Sequence, residues 1–101
     1  MSTGETPSLS IECTLRLEPQ VVSQAIGDEV IVLHLGTETY FVIDGTGALI
    51  WSGIQEQVSL SAIRDRIIHS YAVSKHQCES DLLCFAGVLI ESGLASVVRS
   101  D

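Results

Sequence analysis

Between Val21 and Ile43 three apolar runs rich in β-branched residues, Val21 to Ile26, Val30 to Leu35 and Thr39 to Ile43, are separated only by Gly27-Asp28-Glu29 and Gly36-Thr37-Glu38. Such runs are strand formers, and glycine-led links this short allow only tight reversals. The segment must therefore fold back on itself as a three-stranded antiparallel meander. After Asp44 the period changes from 2 to 3.6. Ala48-Leu-Ile-Trp51 predicts a first helix over about 45–55, capped by the Asp44 side chain and weakened at its end by Gly53. Ser59 caps a second helix, with Ala62, Ile63, Ile67 and Ile68 on one face and Arg64, Asp65 and His69 looking outward. Ser74-Lys-His-Gln77 has the form of a capping box and opens a third helix that runs to about Ser92, with Gly93 just beyond it. Three strands followed by three helices make an α+β order of the winged helix-turn-helix kind.

Two features extend past this frame. Residues 9–17 alternate, apolar at every odd position from Leu9 to Leu17, which predicts an added strand with one buried face, ended by Pro19. The edges open to it are the first and third strands of the meander, and pairing with the third would block that edge. The third helix carries two apolar stripes, Cys78/Leu82/Phe85/Ala86/Leu89 and Leu83/Ile90. One stripe serves a core, and the second calls for cover by Leu94 to Val98 or by a partner. The chain thus divides into an N-terminal tail with the added strand (1–19), one folded domain (20–98) and a short C-terminal tail (99–101).

At 101 residues the chain has one core and little room for a deep catalytic pocket. Five Lys and Arg against 13 Asp and Glu give a net charge of −8, which argues against nucleic acid and anionic membranes, since only Arg16, Arg64, Arg66, Lys75 and Arg99 could meet phosphates. No apolar run of about 18 residues occurs, and Met1 to Ser10 lacks a signal-peptide pattern, so a cytoplasmic location is expected. Cys13, Cys78 and Cys84 are odd in number and lack CxxC spacing, so they read as small buried apolar side chains. His34, His69 and His76 are scattered, and no Walker loop, dinucleotide fingerprint or nucleophile elbow is present. The expectation is a protein with no catalytic group, no metal and no cofactor.

Thr39-Tyr-Phe-Val-Ile-Asp-Gly-Thr-Gly-Ala-Leu-Ile-Trp51 resembles the G-x-Y-F-x-L-N-x-x-G-x-x-I-W signature of PqqD-like proteins, with Tyr40, Phe41, Gly47, Ile50 and Trp51 in register. Ile63, Tyr71-x-Val73 and Asp81-Leu82-x-x-Phe85-x-x-x-Leu89-x-x-x-Gly93-Leu94 follow that family's second stretch. The resemblance covers about residues 20–98, with Asp44 in place of the usual Asn and Ala86 in place of a usual Leu. It implies a recognition element that binds the leader segment of a ribosomally made precursor peptide and presents it to a maturation enzyme. That enzyme is a leader peptidase in lasso-peptide systems, which the run from Cys78 to Phe85 most resembles, or a radical-SAM enzyme as in pyrroloquinoline quinone synthesis. The resemblance places the leader beside the third strand, on Thr39, Tyr40, Phe41, Val42 and Ile43, against a helix wall of Cys78, Asp81, Leu82 and Phe85. The mode fits an open strand edge. Alternation does not say which strand face meets the peptide, because Tyr40/Val42 and Phe41/Ile43 are both apolar. Gly47 and Trp51 read first as packing residues. If Asp81 meets the ligand, a basic or hydroxyl-bearing residue is its complement, and the acidic surface speeds encounter with a cationic peptide. Competing readings are a homodimer through the same edge and a winged-helix DNA-binding regulator, the latter opposed by Glu79, Asp81 and Glu91 on the third helix.

Overall fold

The computed structural model describes residues 9–98 as eight elements. They are β1 (Leu15–Leu17), β2 (Val21–Ile26), β3 (Glu29–His34), β4 (Thr39–Asp44), α1 (Gly45–Gln55), α2 (Leu60–Ser70), α3 (Lys75–Glu91) and β5 (Ala95–Val97). The expected meander is β2-β3-β4, antiparallel throughout, with Ile26 opposite Glu29, Leu33 opposite Tyr40 and Val32 opposite Phe41. Only two residues link β2 to β3. Gly27, at φ +60°, supplies the left-handed conformation that a two-residue hairpin turn asks of its first residue. Glu38 takes the corresponding conformation, φ 57°, before β4.

The pleat divides the sheet into two faces. Val30 and Val32 are buried against the helices, with half-buried Val21, Phe41 and Ile43 beside them, whereas Val22, Ile26, Tyr40 and Val42 are exposed on the outer face. The core is completed by Ile50, Trp51 and Ile54 of α1, Leu60, Ile63 and Ile67 of α2, and Cys78, Leu82, Ala86 and Leu89 of α3. Trp51 is fully enclosed, and its indole Nε1–H donates to Ser23 Oγ at 3.1 Å. Ser23 Oγ also accepts from Gln55 Nε2 at 3.1 Å, so one hydroxyl pins β2 to α1.

Gly53 has a different purpose from the weak helix end that its type suggests. A Cβ there would lie 2.5 Å from Ile63 Cγ1 and 2.8 Å from Cδ1, so the missing side chain is what lets α2 seat against α1. The three N-termini also differ in detail. Ser59 Oγ accepts from Ala62 N and Ser74 Oγ from Gln77 N, as the sequence predicts, but Asp44 makes no side-chain cap bond. The capping box is half formed, because the Gln77 amide donates to Asp81 Oδ1 at 2.9 Å instead of turning back.

The alternating segment departs most from expectation. Only Leu15–Leu17 is strand, and it pairs with β5, Leu15 opposite Val97 and Leu17 opposite Ala95, and with neither edge of the meander. Upstream the chain turns, Cys13 N donating to Ser10 O, and Thr14 bridges Ser59. Leu15 is completely buried, while Leu9, Ile11, Cys13 and Leu17 pack at the core margin, so the odd-numbered residues are gathered inward without one continuous strand. Leu94 and Ala95 are buried and β5 packs on α3, whose second-stripe residues Leu83 and Ile90 are half-buried at the core margin. Arg64 does not look outward. It reaches Glu79 Oε2 on α3, with its side chain only 15% exposed, and also pairs with Asp65. Of the cysteines Cys78 is buried, Cys13 half-buried and Cys84 exposed, so the reading as small buried residues fails for Cys84, which sits on the outer side of α3.

Candidate functional site

The hydrogen-bond phase of the meander follows from its turn. In antiparallel pairs, bonded and non-bonded residue pairs alternate. Leu35 N donates to Gln20 O at 2.8 Å, which makes 20/35, and by alternation 22/33, 24/31 and 26/29, the bonded pairs between β2 and β3. β3 must then turn Val30, Val32 and His34 toward β4, so the bonded partners on β4 are Ile43, Phe41 and Thr39. The N–H and C=O groups of Tyr40 and Val42 point away from the sheet, and no described residue pairs with them. β4 is therefore a free edge whose side chains divide cleanly. Tyr40, 68% exposed, and Val42 stand on the outer face, while Phe41 and Ile43 turn to the helices. Burial thus shows which of the alternating residues face the helices.

Beside this edge lies an open cleft of about 400 Å³ lined by Val42, Ile43, Asp44, Thr46, Gly47, Ile50, Asp81 and Phe85. Its two walls are the end of β4 and the middle of α3, and its floor is the first turns of α1. Gly47 sets the width. A Cβ on it would lie 2.8 Å from Ile43 Cγ2 and 3.4 Å from Phe85 Cζ, so any side chain would intrude between the two walls. A deeper apolar recess of about 130 Å³ continues from the cleft past Thr46, Ile50 and Asp81 to Ile67, Tyr71, Val73, Cys78 and Leu82.

Of the residues picked from sequence, the structure brings Val42, Ile43, Asp81 and Phe85 together around the cleft and puts Cys78 and Leu82 in the recess. Thr39, Tyr40 and Phe41 lie farther along the strand and line neither. Cys78 and Leu82 are almost wholly buried, so they shape the recess from beneath. Thr46, Ile50, Tyr71 and Val73 were absent from that selection. The Tyr71-x-Val73 and Gly47-x-x-Ile50 spacings were signals available for them.

The site is acidic. Asp44 and Asp81 are its charged lining residues, and Asp81 is held by the Gln77 amide. Burial pushes the Cys78 thiol above its ordinary range, so it stays protonated, with Sγ 3.9 Å from the Arg64 carbonyl. Among the described residues no group of three His, Cys, Asp or Glu side chains is placed to hold a metal. No described helix is long and apolar enough to cross a membrane. What the arrangement offers is backbone pairing along β4 and apolar recesses with a carboxylate at the rim, which are the elements of peptide recognition.

A family model described as Coenzyme PQQ synthesis protein D (PqqD) matches residues 29–95. The chain is similar to the solved structure of TbiB1 in complex with the TbiA(beta) leader peptide, at 37% identity over 85% of this chain and 99% of that one, with a TM-score of 0.79. It also shares the fold of lasso peptide synthetase B1 complexed with the leader peptide, at 22% identity over 81% and 96% of the two chains and a TM-score of 0.76. No curated protein matches the chain.

Proposed function

The chain belongs to the PqqD family, and on that premise we propose that it is a non-catalytic adaptor for a ribosomally made precursor peptide. The leader segment adds as a fourth strand beside β4, pairing with the outward main-chain groups of Tyr40 and Val42. Its inward side chains enter the cleft against Asp81 and Phe85 and the recess above Cys78 and Leu82, while Thr39, Phe41 and Ile43 set the strand that it joins. The observation that carries this reading is the unpaired edge of β4 opening directly onto a cleft walled by α3. The arrested N-terminal segment supports it, because β1 pairs with β5 and leaves that edge clear. The similarity to TbiB1 solved with a leader peptide, and the fold shared with a lasso peptide synthetase B1, support a lasso-peptide system, with delivery to a leader peptidase, over the radical-SAM partner of quinone-cofactor synthesis.

Titrating the ¹⁵N-labelled protein with the leader of the precursor encoded beside it tests the proposal. The expected result is saturable shifts at Tyr40, Val42 and the stretch from Asp81 to Phe85. A flat titration up to the solubility of the peptide would sink it.

A further inference from the structure

The sheet has a second free edge. By the same phase, the N–H and C=O groups of Ser23 and Ala25 on β2 point away from β3, and no described residue pairs with them. Natural sheets protect such edges with charge, proline, bulges or short strands. β2 has none of these: Val-Val-Ser-Gln-Ala-Ile is six residues long, uncharged and in unbroken register, with Val22 and Ile26 about half exposed. Beneath this edge opens a cleft of about 590 Å³, larger than the one beside β4. Its floor is made of small or short residues, Ala25, Gly45, Ala48 and Ser52, over which a main chain can lie closely, and its mouth carries Asp28 and Glu29 with no lysine or arginine in the lining.

From these observations we infer that the β2 edge and the α1 cleft form a second strand-addition site, and that its occupant is an extended, lysine- or arginine-bearing segment of the maturation enzyme. The inference rests on the adaptor reading, in which both peptide and enzyme must be held at once. A peptide on β4 and an enzyme segment on β2 occupy opposite edges of one three-stranded sheet and do not compete. Charge selects against a second copy of the chain. A second copy would bring together two chains that each carry −8. A cationic segment meets Asp28 and Glu29 favourably.

The test uses the full chain, its leader peptide and the purified leader peptidase encoded beside it. Ala25→Pro removes an outward N–H without taking a bond from the β2–β3 ladder. It should weaken peptidase binding about tenfold or more and leave leader affinity within about twofold. Peptidase affinity unchanged by Ala25→Pro, or no association of the wild-type chain with the peptidase, would overturn the inference. Should circular dichroism show that variant unfolded, Asp28→Lys in the exposed turn replaces it. That change should weaken peptidase binding and flatten its salt dependence, and an unchanged affinity counts against the inference. Light scattering that finds a wild-type dimer split by either variant would give the edge to a second copy and also overturn it. Failure of the leader to bind the wild-type chain is a separate result, which defeats the adaptor reading through β4 while the β2 measurement still reads on its own edge.

Discussion

Proline substitutions at neighbouring positions of β4 should separate binding from stability. At Val42 the N–H points out of the sheet, so Val42→Pro costs no ladder bond and the fold should lose less than about 1.5 kcal/mol. At Ile43 the N–H faces Val30. Ile43→Pro forfeits that bond, strands the Val30 carbonyl between strands and removes half-buried apolar surface, a total of about 3 to 5 kcal/mol out of the 5 to 15 available to a domain of this kind. Leader binding should show the reverse order of directness. With the Val42 N–H gone, an added strand loses one hydrogen bond and leaves its own carbonyl unpaired, roughly 2 to 3 kcal/mol, or about 30- to 150-fold in Kd. Urea denaturation gives the first quantity and fluorescence anisotropy of a labelled leader gives the second. A Val42→Pro protein that is as unstable as Ile43→Pro would refute the strand phase. One that is stable and binds leader normally would refute strand addition at this edge.

The helix glycines predict different outcomes for one substitution. Gly87→Ala in α3, with no described atom within 4 Å of the new methyl, should stabilise by about 1 kcal/mol, whereas Gly53→Ala drives its methyl into Ile63 and should be neutral to about 2 kcal/mol destabilising in the same urea assay. The hydrogen-bonded Arg66 guanidinium holds the Glu56 carboxyl below its ordinary 4.5. The contribution of this pair is therefore complete above that value and is lost as pH falls through the lower folded-state value, so Glu56→Gln should flatten the acid limb of stability against pH. N-ethylmaleimide should modify exposed Cys84 first and reach buried, protonated Cys78 only when the protein opens, as mass spectrometry of timed samples would reveal; equal rates would contradict the packing of α3.

The meander and the three helices were legible because each is specified locally, by β-branched runs, glycine turns, serine caps and a change of period. What escaped the sequence depends on distant partners. The alternation of residues 9–17 records only that odd residues go inward. That Leu15 does so beside Val97, and not along the meander, is decided by which edge α3 and β5 present. Gly53 looked like a helix breaker because Ile63 is ten residues away, and Arg64 looked solvated because Glu79 lies on another helix. At the candidate site the strand and the helix wall came from the family resemblance. Its floor was signalled only by the Gly47-x-x-Ile50 spacing, since Thr46 and Ile50 join Asp81 in one lining only after α1 has folded under β4.

The clasp of β1 on β5 carries a consequence for the order in which the molecule assembles. Leu15 and Val97 enclose about 80 residues of chain, and closing a loop of that size from the open state costs on the order of 4 kcal/mol in entropy. The meander links its strands through turns of a few residues and has no such toll. Refolding should therefore proceed from the meander outward, with β1 and β5 meeting last. On a ribosome, Leu15 must wait with its apolar surface uncovered until the chain through Val97 has emerged.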